Sequence, residues 1–225
     1  MISFLGDGAL AYLCHQEILA RGLNVSFTLP DRTTHDLLVS VQHAHKIKSD
    51  ELRKFRLCVN LHTGLLPQNR GVHTSAAPIL RGDLESGVTL HEMTDVIDGG
   101  DVILKAAYPL LPTDTCESLY YKTRCAGVAL FRQFLDSLGP FENGRVAPGQ
   151  IAKLLVSKVP QPPGGNRTLK NSIDFGEALD EADPLFERKL RAYFFPQRQC
   201  PIVIREGRRF RVTSLLPTRY EAIGE

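Results

Sequence analysis

The sequence predicts an α/β fold built on an open, mainly parallel, Rossmann-like sheet. Short apolar runs alternate with helical segments from residue 2 to residue 138, which is the pattern of strands joined by helical crossovers. One of these runs, DLLVSV at residues 36–41, is apolar over most of its length, as expected for a parallel strand buried on both faces. Gly22, Pro30 and Gly139 follow such segments and mark where they end.

The elements of this sheet can be placed in chain order. Strands are predicted at residues 2–6, 24–29, 36–41, 56–62, 87–93 and 101–110. Helices are predicted at residues 9–22, 48–55, 73–82 and 116–138. The last helix is long and amphipathic, and Gly139-Pro140 ends it. We therefore expect one catalytic-sized domain over residues 1–155.

A small C-terminal extension is predicted over residues 156–225. It begins with the linker-like segment PQPPGGNRT at residues 160–168 and continues with a short helix at residues 183–193. Residues 201–215 then form two β-like runs around Glu206-Gly207, which is typical of a β-hairpin. The extension is thus predicted to be a linker, a helix and a hairpin.

Composition narrows the class of protein. The chain has 43% hydrophobic and 23% charged residues, as soluble globular proteins do. A net charge of +2 is too small to indicate a nucleic-acid partner, and no apolar run approaches the roughly 20 residues of a membrane span. The five cysteines include no CxxC pair, and no signal peptide is recognisable. We therefore predict a cytoplasmic protein without structural disulfides.

The first strand-turn-helix unit raises an alternative from another class. Residues 6–11, GDGALA, fit the relaxed dinucleotide fingerprint, and Asp31 follows the second predicted strand as a ribose-binding acid would. However, Asp7 lies among the amides that would cradle a pyrophosphate, and its charge opposes that role. Tight turns into helices favour glycine in any case. A structural turn is favoured, and an NAD(P)-binding protein remains the alternative.

The segment CVNLHTGLLPQNRGVHTS, residues 58–75, carries the most specific chemistry. Its period-2 geometry places Asn60 and His62 on one side of a strand that ends at the sheet edge where ligands gather. An amide donor and a titratable imidazole are suited to holding a developing oxyanion. Downstream, Asp95, Asp98 and Asp101 surround a glycine turn. One of these carboxylates can reach His62 and hold its protonated form.

The remaining histidines suggest less. His43 and His45 form an HxH pair, but no third ligand follows at a useful spacing, so no metal site is predicted. His91, within VTLHEM, is interpreted as a strand residue that faces its neighbours.

Three motifs in order resemble the folate-dependent formyltransferases: NLHTGLLPQNRG, ESGVTLHEM and DVIDGGDVILKAAYPLLPTDT. The resemblance is close over residues 36–135 and implies the formyltransferase fold. Carried onto this chain, the Asn-His-Asp triad of the family falls on Asn60, His62 and Asp98, with Asp101 as the alternative acid. The implied chemistry is attack by an amine on a formyl carbon, with the oxyanion held by the Asn60 amide and a protonated His62.

The resemblance also implies where the substrates bind. The donor would be 10-formyltetrahydrofolate, with its pterin near the segment after the third strand and the loop at 94–98. These expected folate contacts are His45, Lys46, Ile47, Asp95 and Val96. The loop after the triad histidine would meet the acceptor through Asn69, Arg70, Gly71, His73 and Thr74.

Three acceptors fit the resemblance: a nucleotide-linked amino sugar, glycinamide ribonucleotide or methionyl-tRNA. The helix and hairpin after the core resemble those of sugar N-formyltransferases, which favours a dTDP-linked amino deoxysugar, such as dTDP-4-amino-4,6-dideoxyglucose, and a place in glycan or lipopolysaccharide biosynthesis. Glycinamide ribonucleotide is the alternative acceptor. The expected partner is therefore a small molecule.

Two features of the sequence leave other possibilities open. Only residues 32–35 separate Asp31 from the third strand, where the family usually inserts a helix, so a non-catalytic folate- or nucleotide-binding relative is a further alternative. The tail is basic, which suits a diphosphate, a solvated face or the interface of a homodimer, the assembly that we expect. Its cations are Arg188, Lys189, Arg191, Arg198, Arg205, Arg208, Arg209 and Arg211.

Overall fold

Strands and helices alternate through the first half of the chain, as predicted. The computed structural model describes residues 1–30, 35–147, 149–151, 153, 158–161, 173–215 and 217–223. Within these ranges the elements are β1 (Ile2–Gly6), α1 (Gly8–Ala20), β2 (Val25–Ser26), β3 (His35–Val41), α2 (Ser49–Leu52), β4 (Phe55–His62), α3 (Ala77–Arg81), β5 (Glu85–Glu92), β6 (Val102–Pro109), α4 (Cys116–Leu138), β7 (Phe141–Glu142), β8 (Arg145–Val146), β9 (Ala178–Asp180), α5 (Phe186–Tyr193), β10 (Ile202–Arg205), β11 (Arg208–Leu215) and β12 (Thr218–Ala222).

The first of two compact units comprises Met1–Arg70, Gly87–Ala107 and Thr123–Asn166. It is built on a six-stranded sheet in the order β2-β1-β3-β4-β5-β6. The pairs β1–β2, β1–β3 and β3–β4 are parallel, whereas β4 and β5 are antiparallel. The predicted α/β class with a mainly parallel central sheet is therefore confirmed.

Alternation along β4 separates the core from the candidate site. Val59 and Leu61 are buried in the main core cluster. Since side chains alternate along a strand, Asn60 and His62 project from the opposite face. The core cluster draws its other members mainly from neighbouring strands and from the two long helices, among them Leu10, Ile18, Val39, Leu90, Phe131 and Phe134. The sheet thus buries one face of β4 and leaves the other for polar side chains.

The second unit comprises Gly71–Ser86, Tyr108–Lys122 and Arg167–Glu225. Its sheet has the order β12-β11-β10-β9. The predicted hairpin is present as β10 and β11, and the flanking strands β9 and β12 extend it beyond what was expected. The two units take alternate stretches of the chain, whereas the predicted domains meet at residues 155 and 156. That division into domains stays a prediction.

Several predicted elements are shorter than expected. The strand predicted at 24–29 is present as β2, which comprises only Val25–Ser26. The helix predicted at 48–55 is the single turn α2. The helix predicted at 73–82 begins only at Ala77, beside Pro78, and ends at Gly82, whose φ of 74° is left-handed. Asp31 and most of the predicted linker lie outside the described residues.

Two glycines of the dinucleotide-like fingerprint have structural reasons to be there. A Cβ on Gly6 would lie 2.5 Å from the Val41 carbonyl oxygen and 2.7 Å from the Cβ of Ala11. Gly8 has a φ of 79°, which favours glycine. Close packing of β1 against β3 and the turn into α1 therefore account for both glycines. No helix in the described ranges is long and apolar enough to cross a membrane.

The turn between β5 and β6 contains a glycine, Gly100, at a position where the backbone leaves no room for a Cβ atom. Asp98 has a φ of 52°, in the left-handed region that few non-glycine residues adopt. Two residues later, a Cβ on Gly100 would overlap the backbone carbonyl oxygen of Glu92. Because that oxygen belongs to the main chain of β5, it cannot move aside without distorting the strand.

We expect Gly100→Ala to lower the free energy of unfolding by about 1–3 kcal/mol, the usual cost of forcing an atom into a filled space. Denaturant unfolding monitored by circular dichroism measures the change. Gly149→Ala is the matched control, because a Cβ there meets no atom within 4 Å. Equal stability of the two variants would show that the turn is not sterically constrained.

Candidate functional site

The structure brings the three predicted triad residues together at the carboxyl end of β4. Asn60 and His62 lie on β4, and Asp98 lies in the turn before β6. His62 Nδ1 is 3.6 Å from Asp98 Oδ1, and both side chains are about one-tenth exposed or less. The alternative acid, Asp101, instead lies 3.7 Å from the ammonium of Lys158. Asp98 is therefore the carboxylate that faces the histidine.

The loop after β4 determines which nitrogen of His62 carries hydrogen. His62 Nε2 is 2.7 Å from the carbonyl oxygen of Asn69. A carbonyl can only accept, so Nε2 donates and Nδ1 of the neutral ring is left as an acceptor on the side of Asp98. The Asn69 carbonyl is in turn fixed by its loop, because the Asn69 N–H donates to the Leu65 carbonyl at 2.7 Å.

Thr89 of β5 fastens the same loop to the sheet. Its hydroxyl donates to the Gly64 carbonyl at 2.8 Å and accepts from the Leu66 N–H at 3.0 Å. Both groups are buried, so these bonds replace water that cannot reach them. The Gly-Leu-Leu-Pro segment is thus fixed to β5, just before the Asn69 carbonyl that accepts from His62.

Burial lowers the pKa of His62. The Asp98 carboxylate and the hydrogen bond to Asn69 oppose this effect, while His91 and Arg70 reinforce it. The net direction is downward because removal from water penalises the imidazolium. Sequence reasoning expects a protonated His62, whereas the structure favours the neutral ring in the free protein.

His91 is a member of the site that sequence reasoning missed. It is 2% exposed and pairs across the sheet with Asn60. Its Nε2 lies 3.1 Å from Asn60 Nδ2 and 3.5 Å from Asp98 Oδ1. The antiparallel pairing of β4 with β5 brings these residues together, and the sequence of one strand contains no direct signal of that register.

The tautomer of His91 sets the orientation of the Asn60 amide. His91 Nδ1 lies 2.8 Å from the Glu92 carbonyl oxygen and must donate to it. The neutral ring therefore accepts at Nε2, and only the NH₂ end of the Asn60 amide can donate there. One N–H of Asn60 is used in this way, and the second remains available to an oxygen in the site.

A cavity of about 280 Å³ is lined by one residue of the predicted folate region, Asp95. The Ser49 hydroxyl donates to Asp95 Oδ1 and joins α2 to the loop after β5. Asp95 lines the cavity, and Ile47 packs in the cluster that forms its apolar wall. The lining residues are Ser49, Leu52, Arg53, Phe55, Arg56, Cys58, Glu92, Met93, Thr94 and Asp95.

Three of the expected folate contacts are exposed. His45, Lys46 and Val96 have exposed side chains and do not line the cavity. Their contact with a folate stays a prediction.

The residues predicted to meet the acceptor fall in both units. Asn69 and Arg70, in the first unit, are 2% and 6% exposed. Gly71, His73 and Thr74 belong to the second unit. There His73 has a left-handed φ of 58° and packs edge-on against Phe175, with ring centroids 5.2 Å apart, and burial lowers its pKa. The acceptor contacts of all five stay predictions.

Two cations of the basic tail, Lys189 and Arg205, pair with carboxylates of the second unit. Lys189 pairs with Glu177 and Asp183, each at 2.8 Å. Arg205 pairs with Glu181 at 2.9 Å and lies over the Tyr220 ring. Other cations of the tail also have internal partners: Arg188 donates to the Arg81 carbonyl, Arg191 donates to the Asp114 carbonyl, and Arg198 packs on Tyr120 and Phe195. These contacts leave less free charge for a diphosphate than the sequence suggests.

The HxH pair lies at the end of β3. His43 Nδ1 is 3.6 Å from Asp7 Oδ2, and the rings of His43 and His45 are 5.6 Å apart. Among the residues that the structure describes, no group of three or more His, Cys, Asp and Glu side chains could hold a metal ion.

Comparison with known proteins finds similarity over the part of the chain that contains this site. The family model described as Formyl transferase matches residues 29–135. Methionyl-tRNA formyltransferase of Coxiella burnetii is 35% identical over 112 residues, covering 49% of this chain and 35% of that protein. The enzyme of the same name from Streptococcus pyogenes is 40% identical over 90 residues, covering 40% and 28%. This chain thus spans about a third of the length of these curated relatives.

Solved structures match over more of the chain. An N-formyltransferase from Helicobacter canadensis, in complex with folinic acid and dTDP-3-aminofucose, has a TM-score of 0.73 at 20% identity, covering 94% of this chain and 86% of that chain. A 4-N formyltransferase from Francisella tularensis has a TM-score of 0.68 at 20% identity, covering 99% and 98%. These likenesses confirm the predicted formyltransferase fold. The family model matches residues 29–135, the part of the chain that contains Asn60, His62 and Asp98.

Proposed function

We propose that this protein transfers a formyl group from 10-formyltetrahydrofolate to the amine of a nucleotide-linked amino sugar. The observation that carries the proposal is the cluster of Asn60, His62 and Asp98 at the carboxyl end of β4. Support for the folate comes from the solved relatives, several of which are complexes with folate derivatives. The pterin ring is proposed to lie near His45, Lys46, Ile47, Asp95 and Val96, of which Asp95 also lines the cavity beside α2.

The free N–H of Asn60 suits the first chemical step. The acceptor nitrogen attacks the formyl carbon, a C–N bond forms, and the carbonyl oxygen becomes an oxyanion. Asn60 donates its second N–H to this oxygen, and its first N–H stays on His91. A preorganised donor of this kind typically contributes a factor of about 10²–10³ to the rate.

His62 suits the transfer of the proton that the attack releases. The neutral ring has an acceptor, Nδ1, on the side of Asp98. Once Nδ1 takes the proton from the amine nitrogen, the imidazolium is stabilised by the Asp98 carboxylate. The same proton then passes to the departing nitrogen of tetrahydrofolate as its C–N bond breaks, so the ring returns to its neutral form.

The choice of acceptor depends on how far each kind of relative matches. The N-formyltransferase from Helicobacter canadensis, a complex with dTDP-3-aminofucose, and the 4-N formyltransferase from Francisella tularensis match 94% and 99% of this chain. The methionyl-tRNA formyltransferases match under half of it, although at higher identity. The extended match favours a dTDP-linked amino deoxysugar. A homodimer is the assembly that we propose with it.

An acceptor assay tests the proposal directly. Purified protein with 10-formyltetrahydrofolate is expected to add one formyl group to dTDP-4-amino-4,6-dideoxyglucose or its 3-amino counterpart. Mass spectrometry measures the gain, and His62→Ala should abolish it. Formylation of glycinamide ribonucleotide or methionyl-tRNA instead would overturn the sugar assignment. Turnover on no amine would favour a binding protein.

Replacing His91 tests how the Asn60 amide is oriented. His91→Leu removes the acceptor for the Asn60 N–H, so the amide can rotate and kcat should fall about 10- to 100-fold. His91→Gln keeps an acceptor oxygen and should lose less, and KM for the folate should change little in either variant. Steady-state kinetics distinguishes the two. Wild-type kcat in His91→Leu would contradict the proposed orientation.

The ionisation of His62 can be followed without any substrate. Because burial lowers its pKa, the ring should titrate below about 6.5, the ordinary value for histidine. Asp98→Asn removes the anion that favours the imidazolium, so the pKa should fall further. NMR of the imidazole carbons, assigned with His62→Gln, measures both. A value above 6.5 in the native protein would show that Asp98 outweighs burial.

A further inference from the structure

A short segment from a distant part of the chain lies along the start of β6. Val159 and Val102 form an antiparallel bridge, with N–H···O distances of 2.7 and 2.8 Å in the two directions. We call residues 158–161 the strap. It belongs to the same compact unit as β4, β5 and β6.

The first residue of the strap pairs with charges at both ends of the β5–β6 turn. The Lys158 ammonium pairs with Glu92, the last residue of β5, and lies 3.7 Å from Asp101, just before β6. Glu92 and Asp101 are themselves joined, since the Glu92 N–H donates to the Asp101 carbonyl at 2.8 Å. The strap thus closes the base of the turn that carries Asp98.

Gln161, the last residue of the strap, forms hydrogen bonds with both the nitrogen and the oxygen of its side-chain amide. Gln161 Nε2 donates to the Gly100 carbonyl and, at 3.4 Å, to the Asp98 carbonyl. Gln161 Oε1 accepts from Nη2 of Arg70 at 3.2 Å. One side chain therefore contacts the turn that carries the acid and the guanidinium that follows the loop of His62.

Gln161 therefore contacts both Arg70 and the turn of Asp98, the two charged residues that act on the pKa of His62. Asp98 faces the ring directly, and the buried Arg70 acts on it with the opposite sign. The other groups that face the ring are His91 from β5 and the Asn69 carbonyl. Of these two charged residues, Asp98 has a strained, left-handed backbone. Such a conformation persists only where surrounding contacts hold it in place.

We propose that Gln161 is a positioning residue, whose amide holds the Asp98 turn and the Arg70 guanidinium in fixed places near His62. The role rests on the proposed formyl transfer. The contacts of Gln161 with Arg70, Asp98 and Gly100, which we call the clamp, are present in the protein without substrate. It acts through Asp98 and Arg70. Loss of the clamp should therefore lower kcat and leave binding of the folate largely unchanged.

Two variants separate the halves of the amide. Gln161→Met keeps the length of the side chain and removes both contacts. Gln161→Glu keeps an acceptor for Arg70 and removes the donor to the two carbonyls of the turn. Gln133→Glu, at an exposed position of α4, is the control for the same change of charge away from the site. Thermal unfolding verifies that each variant is folded.

Hydrogen–deuterium exchange provides a readout that needs no substrate. In Gln161→Met and Gln161→Glu, peptides that cover residues 94–101 should exchange several-fold faster than in the native protein. Peptides from β1 and β3 should be unchanged, and Gln133→Glu should match the native protein throughout. Unchanged exchange in Gln161→Met would overturn the clamp.

Kinetics then tests whether the clamp matters for the reaction. With the acceptor that the native protein uses, kcat of Gln161→Met should fall about 10- to 100-fold, and KM for 10-formyltetrahydrofolate should stay within about threefold. Faster exchange with native kcat would overturn the positioning role. If the native protein formylates no amine, the proposed function fails, and the exchange result alone decides whether Gln161 holds the turn.

Discussion

The hydrogen bond from His62 Nε2 to the Asn69 carbonyl is the contact on which the candidate site depends. It assigns hydrogen to one ring nitrogen and leaves the other, Nδ1, to face Asp98. The carbonyl is itself held by a turn that Thr89 fastens to the sheet. A buried hydroxyl on β5 therefore sets the protonation pattern of a ring on β4. The chemistry of the site depends in this way on the pairing of two antiparallel strands within an otherwise parallel sheet.

Burial and charge act on His62 in opposite directions, and their balance suits a group that gains and loses one proton. Removal from water favours the neutral ring before reaction, and Asp98 stabilises the cation once a proton arrives. Neither group alone would give both states. A histidine in water would be partly charged at the outset, and a buried histidine without a carboxylate would resist protonation throughout.

Local periodicity was sufficient to predict the class of the fold and the shared face of Asn60 and His62, because strand alternation needs no information from the rest of the chain. The choice of Asp98 came from resemblance to a family. His91 and Gln161 could not be predicted in this way. The contacts of His91 depend on the register of β4 with β5, and those of Gln161 join residues as far as 61 positions apart. The outer strands β9 and β12 were missed because one has three residues and the other is mostly exposed, so neither shows a clear apolar pattern.

The cross-strand pair of Asn60 and His91 limits how this sequence can vary. An aspartate at position 60 would offer only acceptors to His91 Nε2, while Nδ1 would still donate to the Glu92 carbonyl. Two acceptors would then face each other with no hydrogen between them. The amide at position 60 therefore suits this tautomer of His91, whereas a carboxylate of the same shape does not. Two residues that lie 31 positions apart in the sequence are in this way constrained together.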